Sequence, residues 1–247
     1  MNQSLFDFTL SIADSALVLG QRNGAWCGLG PVLEQDIAIT NITLDLIGQA
    51  RSCYQYAATL QGQGATEDSL AFMRGEREFK NCLLAETPNG DWAQTVLRQF
   101  LFSSFQRELF TELRQHKDST LAAIAEKSLK EINYHCRWSG EWVERLGDGT
   151  EESRQRISNA LVNLWPYTGE LFKPAPYETA MGIDSAALHS RWMNTVLSVL
   201  EAATLSIDNL QHIFMHTGGK LGTHTEELGP LLAEMQYIQR SYPGCEW

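Results

Sequence analysis

The stretch Ala122–Gly147, AAIAEKSLKEINYHCRWSGEWVERLG, constrains this chain more than any other. Its apolar residues Ile124, Leu129, Ile132, Cys136, Trp142, Val143 and Leu146 return at three- and four-residue steps, which places them on one face of an α-helix. Asp118 or Ser119 can cap its start and Gly147 can close its end. A helix so long and so one-sided must bury its stripe against other helices. Glu131 and His135 lie four apart on it, so their side chains share a face and can touch. A carboxylate and an imidazole inside a four-helix bundle suggest a di-iron site, and the rest of the chain has to supply the other ligands.

The remaining segments are helical as well. Leu5, Phe8, Ile12, Ala16 and Leu19 mark a first helix that carries Asp14 and fades before Asn23-Gly24. Gly30-Pro31 opens a second long helix, running to about Leu60, with proline at a favourable first position. Apolar residues on several of its faces predict a central place in the bundle. Asn41, Asp45 and Gly48 or Gln49 form a polar stripe within it, either solvated or, given Ile42, Leu44, Leu46 and Ile47 around it, buried at Asp45. Asp91 caps a third helix rich in phenylalanine, whose only interior charges between Arg98 and Glu112 are Arg107 and Glu108. A short connection then makes it antiparallel to the organising helix. Thr150 caps a fifth helix that bends near Pro166, and Asp184 caps a sixth. The last helix starts near Pro230. Strand signals, repeats and low-complexity tracts are lacking, so residues 1–247 read as a single helical domain.

A di-iron bundle takes one Glu from each of two helices and Glu-x-x-His from each of two others. The residues three before His116, His135, His189, His212, His216 and His224 are Leu113, Ile132, Ala186, Asn209, Ile213 and Leu221, none of them acidic. The second helix offers Asp45-x-x-Gly48 where an imidazole is needed, and the organising helix displaces Glu131 and His135 by one residue. Asp45, Glu108, Glu131 and His135 therefore read as a degenerate di-iron interior whose polar groups satisfy one another rather than a metal. His135 reads as a hydrogen-bonded core histidine. Between the second and third helices, Arg74, Arg77 and Lys80 surround Phe79. That cluster is either a short exposed helix with ordinary charge pairs or a clamp whose cations meet phosphates while the ring covers an adenine or acyl group. No nucleophile motif and no phosphate loop is present.

Composition removes several classes of function. A net charge of −11 argues against nucleic acid. Five scattered cysteines without a Cys-x-x-Cys pair suit reduced thiols in a cytoplasm better than a disulfide framework or a zinc site. The N-terminal residues do not form a signal peptide, and no apolar run approaches the roughly 18 residues of a membrane span.

Six segments carry a resemblance: LVLGQRNGAWCG, LEQDIAITNITLDLIGQAR, LKEINYH, RLGDGTEES, LWPYTGELF and GGKLGTHTEELGPLLAEMQYIQR. Together, from about Leu17 to Trp247, they resemble the C-subunit family (PaaC) of the phenylacetyl-CoA epoxidases, the ring 1,2-epoxidases of phenylacetate breakdown. The last segment is the most specific, since helical propensity alone would not dictate it. The resemblance implies an all-α, ferritin-like helical bundle with additional C-terminal helices. It implies a cytoplasmic, non-catalytic subunit with no catalytic residue, no metal and no cofactor of its own. Its implied partners are a homologous di-iron catalytic subunit, further small subunits, and an NADPH-dependent reductase with FAD and an iron–sulfur cluster. The complex adds one oxygen atom of O₂ across the ring of phenylacetyl-CoA. The family's coenzyme A contact carries over onto Arg77, Glu78, Phe79 and Lys80. Phe172–Ile183, with its prolines, departs from the family pattern. Two other readings stand beside this one: an independent di-iron oxidase, and an acyl-CoA-binding helical module outside any oxygenase.

Overall fold

The computed structural model describes residues 2–245, and among them every regular element is helical. Ten α-helices follow in order: α1 Gln3–Gly24, α2 Leu33–Gln61, α3 Glu67–Phe72, α4 Leu83–Glu86, α5 Trp92–Leu113, α6 Ser119–Gly147, α7 Glu151–Leu164, α8 Pro176–Ala180, α9 Ser185–Ala202 and α10 Leu228–Ser241. Short 3₁₀ turns join several of them. The expectation of an all-α fold is met. The described residues divide into two compact units, one holding α1–α4, α8 and α10, the other holding α5, α6, α7 and α9.

The first unit is built on the α1/α2 pair. Asp14 meets Tyr54, Gly20 lies against Ile47 and Gly24 against Thr43, so the two helices run antiparallel. The middle of α1 is buried on every side, from Phe8 to Gly20 with only Ser15 partly open. The enclosed helix of the pair is therefore α1 and not α2, contrary to expectation. Leu33, Ile37 and Leu44 expose 73%, 51% and 61% of their surface, and with Leu29 and Val32 they form an outward apolar stripe at the start of α2. The expected polar stripe shares this outward side at Asn41 and Gly48, while Gln49 is buried. Pro31 also falls outside the helix, because Val32, not Gly30, is the N-cap residue.

The second unit is built on α5 and α6. Trp92 packs edge-on to Trp138 and Trp142 at 6.0 and 6.2 Å, Phe100 lies against Gly140, and Ser104 Oγ sits 3.4 Å from Cys136 Sγ. From Trp92 with Trp142, through Phe100 with Gly140, to Ser104 with Cys136 the contacts run backwards along α6, so the pair is antiparallel, as its short connection predicts. Asp91, Asp118, Thr150 and Asp184 cap α5, α6, α7 and α9 with their side chains, each accepting a backbone N–H from three residues on. Trp192 of α9 is buried and its indole N–H donates to the Leu101 carbonyl at 3.0 Å. Burying rings such as Phe100 and Phe110 contributes about 2–3 kcal/mol each. Near Pro166 the helix ends rather than bends: α7 stops at Leu164 and two 3₁₀ turns follow.

Candidate functional site: a braced cationic segment

In the first unit, residues 74–81 carry the cations singled out in the sequence, and they are held by an acid in the middle of α1. Asp14 is wholly buried. Its carboxylate accepts both terminal nitrogens of Arg74, the Tyr54 hydroxyl at 2.5 Å and the Lys80 backbone N–H at 2.8 Å. The Arg74 guanidinium lies 4.4 Å from the centre of the Phe79 ring, covering it. Burial opposes its charge, but Asp14 outweighs that and raises the Arg74 pKa further, so this cation is permanent. Burial, then the Asp14 charge, pushes the Tyr54 phenol well above its ordinary range.

Of the four residues carried over as a coenzyme A contact, Arg77 and Glu78 are exposed, Lys80 is half-buried and Phe79 is 0% exposed. The Phe79 ring is packed beneath Arg74 and is not presented to solvent. Glu78 turns back to accept the Gly75 N–H at 2.7 Å. Lys80 Nζ lies 3.5 Å from Asp7 and 5.5 Å from the Tyr177 ring centre. Arg77 makes no ion pair among the described residues. The segment thus carries one open cation, Arg77, and one half-buried cation, Lys80, engaged by Asp7.

The motif GGKLGTHTEELG backs this segment. A Cβ on Gly219 would stand 2.4 Å from the Asn81 carbonyl oxygen, and one on Gly222 2.2 Å from that of Arg77. Gly222 also has φ +82°, so glycine is demanded twice over there. Three ionic contacts hold the motif down. Buried Lys220 bridges both oxygens of Glu178 at 2.9 and 3.0 Å. His224 meets Glu86 at 2.8 Å and the Phe79 carbonyl at 3.0 Å. Glu227 meets Arg22 at 3.2 Å. His224 and Glu227, three apart in sequence, therefore take separate partners.

A profile of the phenylacetic acid catabolic protein family matches residues 1–247, the whole chain. The chain belongs to that family. It is also 48% identical, over 252 aligned positions covering all of both chains, to the C subunit of the 1,2-phenylacetyl-CoA epoxidase of Escherichia coli strain K12.

The donors expected of a degenerate di-iron interior stand on α2, α5 and α6. Asp45 is half-buried on α2 of the first unit. Glu108, Glu131 and His135 stand on α5 and α6 of the second. There His135 is wholly buried and Glu131 half-buried. Glu108 is claimed by cations: Arg107 at 3.0 Å and Arg191 at 3.1 Å, with Arg191 also reaching Glu112 at 3.2 Å. Among the described residues no three His, Cys, Asp or Glu side chains converge as a metal needs. Burial pushes the Cys53 thiol up to about 12, so it stays protonated and unreactive at neutral pH.

The residues that brace the segment, Asp14, Tyr54, Glu86 and His224, do not stand out as a site in the sequence. Asp14 leaves a signal there: an acid in LSIADSALVL, amid apolar residues and with no cation within four positions, needs a partner from elsewhere in the chain.

Proposed function

We propose that this chain is the C subunit of a 1,2-phenylacetyl-CoA epoxidase and serves it without a catalytic site of its own. The complex is a multicomponent monooxygenase that adds one oxygen atom of O₂ across the aromatic ring of phenylacetyl-CoA in aerobic phenylacetate catabolism. The observation that carries this reading is the end-to-end match to a protein of that name. Iron, in this reading, belongs to a homologous catalytic subunit. NADPH, FAD and an iron–sulfur cluster belong to the reductase, which delivers electrons to the iron. The claim of Arg107 and Arg191 on Glu108 supports a non-catalytic role, because a carboxylate already neutralised by two guanidiniums is a poor metal ligand.

This chain contributes surfaces. The stripe of Leu29, Val32, Leu33, Ile37 and Leu44 is apolar and outward, and it fits a helical face of the catalytic subunit. Such permanent interfaces bury more than about 2,000 Å² and resemble a core cut in half. Arg77 and Lys80 supply charge for the coenzyme A phosphates, with the Phe79 ring acting as a floor under Arg74 rather than as a cover for the adenine. The setting is the cytoplasm, which five free thiols suit. No helix among the described residues is long and apolar enough to cross a membrane.

The test is co-expression with the homologous catalytic subunit from the same cell. One stable complex is expected, with its iron lost when the catalytic subunit's ligands are changed and kept when Asp45, Glu108, Glu131 and His135 are changed. Iron bound stoichiometrically by the isolated chain would overturn the non-catalytic role.

A further inference from the structure

His224 lies behind the Arg77–Lys80 segment, and its neighbours dictate its charge. Its Nε2 lies 3.0 Å from the Phe79 carbonyl oxygen, which can only accept, so Nε2 carries a proton. Its Nδ1 lies 2.8 Å from Glu86 Oε2. The Glu86 carboxylate also accepts the Thr225 N–H at 2.6 Å and the Asn81 amide at 2.7 Å. Both Glu86 oxygens thus act as acceptors, and a contact from Nδ1 that joins them is a donated N–H. Serving both acceptors at once takes an imidazolium, and the side chains of His224 and Glu86 are both 0% exposed.

We propose that His224 is a positioning residue: as the imidazolium it clasps the Phe79 carbonyl to Glu86, holds Arg77 and Lys80 ready for the coenzyme A phosphates, and lets the segment go when it loses a proton. This rests on the reading that residues 77–80 meet coenzyme A. A neutral ring keeps one N–H and must abandon either Glu86 or Phe79. Abandoning Phe79 removes one hold on the backbone between Arg77 and Lys80, leaving it to Asp14 at the Lys80 N–H and Arg74 at the Glu78 carbonyl. Abandoning Glu86 leaves that carboxylate without its counter-charge.

The other charged groups around the ring come from three elements and from its own segment. Glu86 on α4 and Glu76 in the 3₁₀ turn favour the cation. Arg22 of α1, donating to the Glu86 carbonyl and to Glu227, is the nearby cation, whose charge disfavours a second one on the ring. Burial lowers the His224 pKa, but Glu86, the Phe79 carbonyl and Glu76 together raise it above the ordinary value. The sign follows. The clasp is complete below the ordinary histidine pKa of about 6.5 and is lost as pH rises through the raised value.

The experiment uses the assembled complex with the wild-type chain, His224→Gln or Arg77→Ala. Coenzyme A affinity is titrated by calorimetry from pH 6 to 9, with amide exchange of residues 77–82 followed at each pH. The ligand's own phosphate titration is common to all three proteins and cancels in the comparison. The wild type is expected to lose about tenfold in affinity, together with exchange protection, as pH rises. His224→Gln should be weak and flat across the range, with the rate at saturating substrate preserved. Arg77→Ala should weaken binding but keep the pH step in exchange. A wild-type profile in His224→Gln overturns the proposal. An exchange step that vanishes in His224→Gln, with coenzyme A affinity indifferent to both variants, overturns the coenzyme A reading and the positioning role with it. Should His224→Gln fail to fold, ¹⁵N spectra of the wild-type imidazole decide. Two protonated nitrogens at pH 6.5 support the clasp, and one unprotonated nitrogen overturns it.

Discussion

Asp14→Asn is the sharpest perturbation of the bracing around the cationic segment. The native carboxylate takes four donor contacts, two from Arg74 and one each from Tyr54 and the Lys80 N–H. Asparagine keeps the shape but offers one acceptor oxygen, and its NH₂ must face another donor. Arg74, with 10% of its side chain exposed, would then be a buried cation without its anion. Breaking a buried pair in this way costs about 3–5 kcal/mol. For a chain of this size that lowers the melting temperature by on the order of 10 °C. Urea unfolding followed by circular dichroism measures the loss, and a double-mutant cycle with Arg74→Met apportions it. Removing both charges should be less damaging than Asp14→Asn alone, because no orphaned ion remains. A loss below about 1 kcal/mol for Asp14→Asn, or a double variant worse than the single, would refute the reasoning.

Three further outcomes are expected. Gly28→Ala, at φ +79° in open space, should cost about 1 kcal/mol, while Gly222→Ala should cost at least about 2 kcal/mol more by driving a methyl into the Arg77 carbonyl, as equilibrium unfolding will report. Leu33→Glu with Leu44→Glu should leave stability within about 0.5 kcal/mol, since both side chains are exposed, yet abolish capture of the catalytic subunit on an affinity column. Arg77→Ala with Lys80→Ala should raise KM for phenylacetyl-CoA without changing kcat, the signature of lost uniform binding, and an unchanged KM at low salt returns these residues to an ordinary solvated surface.

Much of the local structure is legible in the residues. The caps at Asp91, Asp118, Thr150 and Asp184 stand where expected, because a cap is decided by a side chain and backbone three residues apart. The antiparallel α5/α6 pair follows from a short connection between two long amphipathic segments. Long-range pairing is not legible. Asp14 finds Arg74 across 60 residues, and His224 finds Glu86 across 138. Periodicity shows which side of a helix is apolar but does not show what covers it. Leu33 and Leu44 therefore read as part of a central helix and stand outside, and Phe79, open in the sequence to either an ordinary helix or a ligand clamp, lies beneath Arg74. The glycines at 219 and 222 can be seen as a motif, but their reason is the backbone of residues 77–81 passing within van der Waals reach.

On the proposed reading, this chain serves a partner's chemistry rather than performing its own. Reconstitution measures that most directly: the homologous catalytic subunit, loaded with iron and supplied with reductase, NADPH and phenylacetyl-CoA, is assayed for ring epoxide with and without this chain. Little product is expected without the chain and full turnover with it, including when the chain carries Glu108→Ala, Glu131→Ala and His135→Ala in a form that still folds. Full activity without the chain, or turnover that disappears with those three residues while the complex stays assembled and keeps its iron, would contradict it.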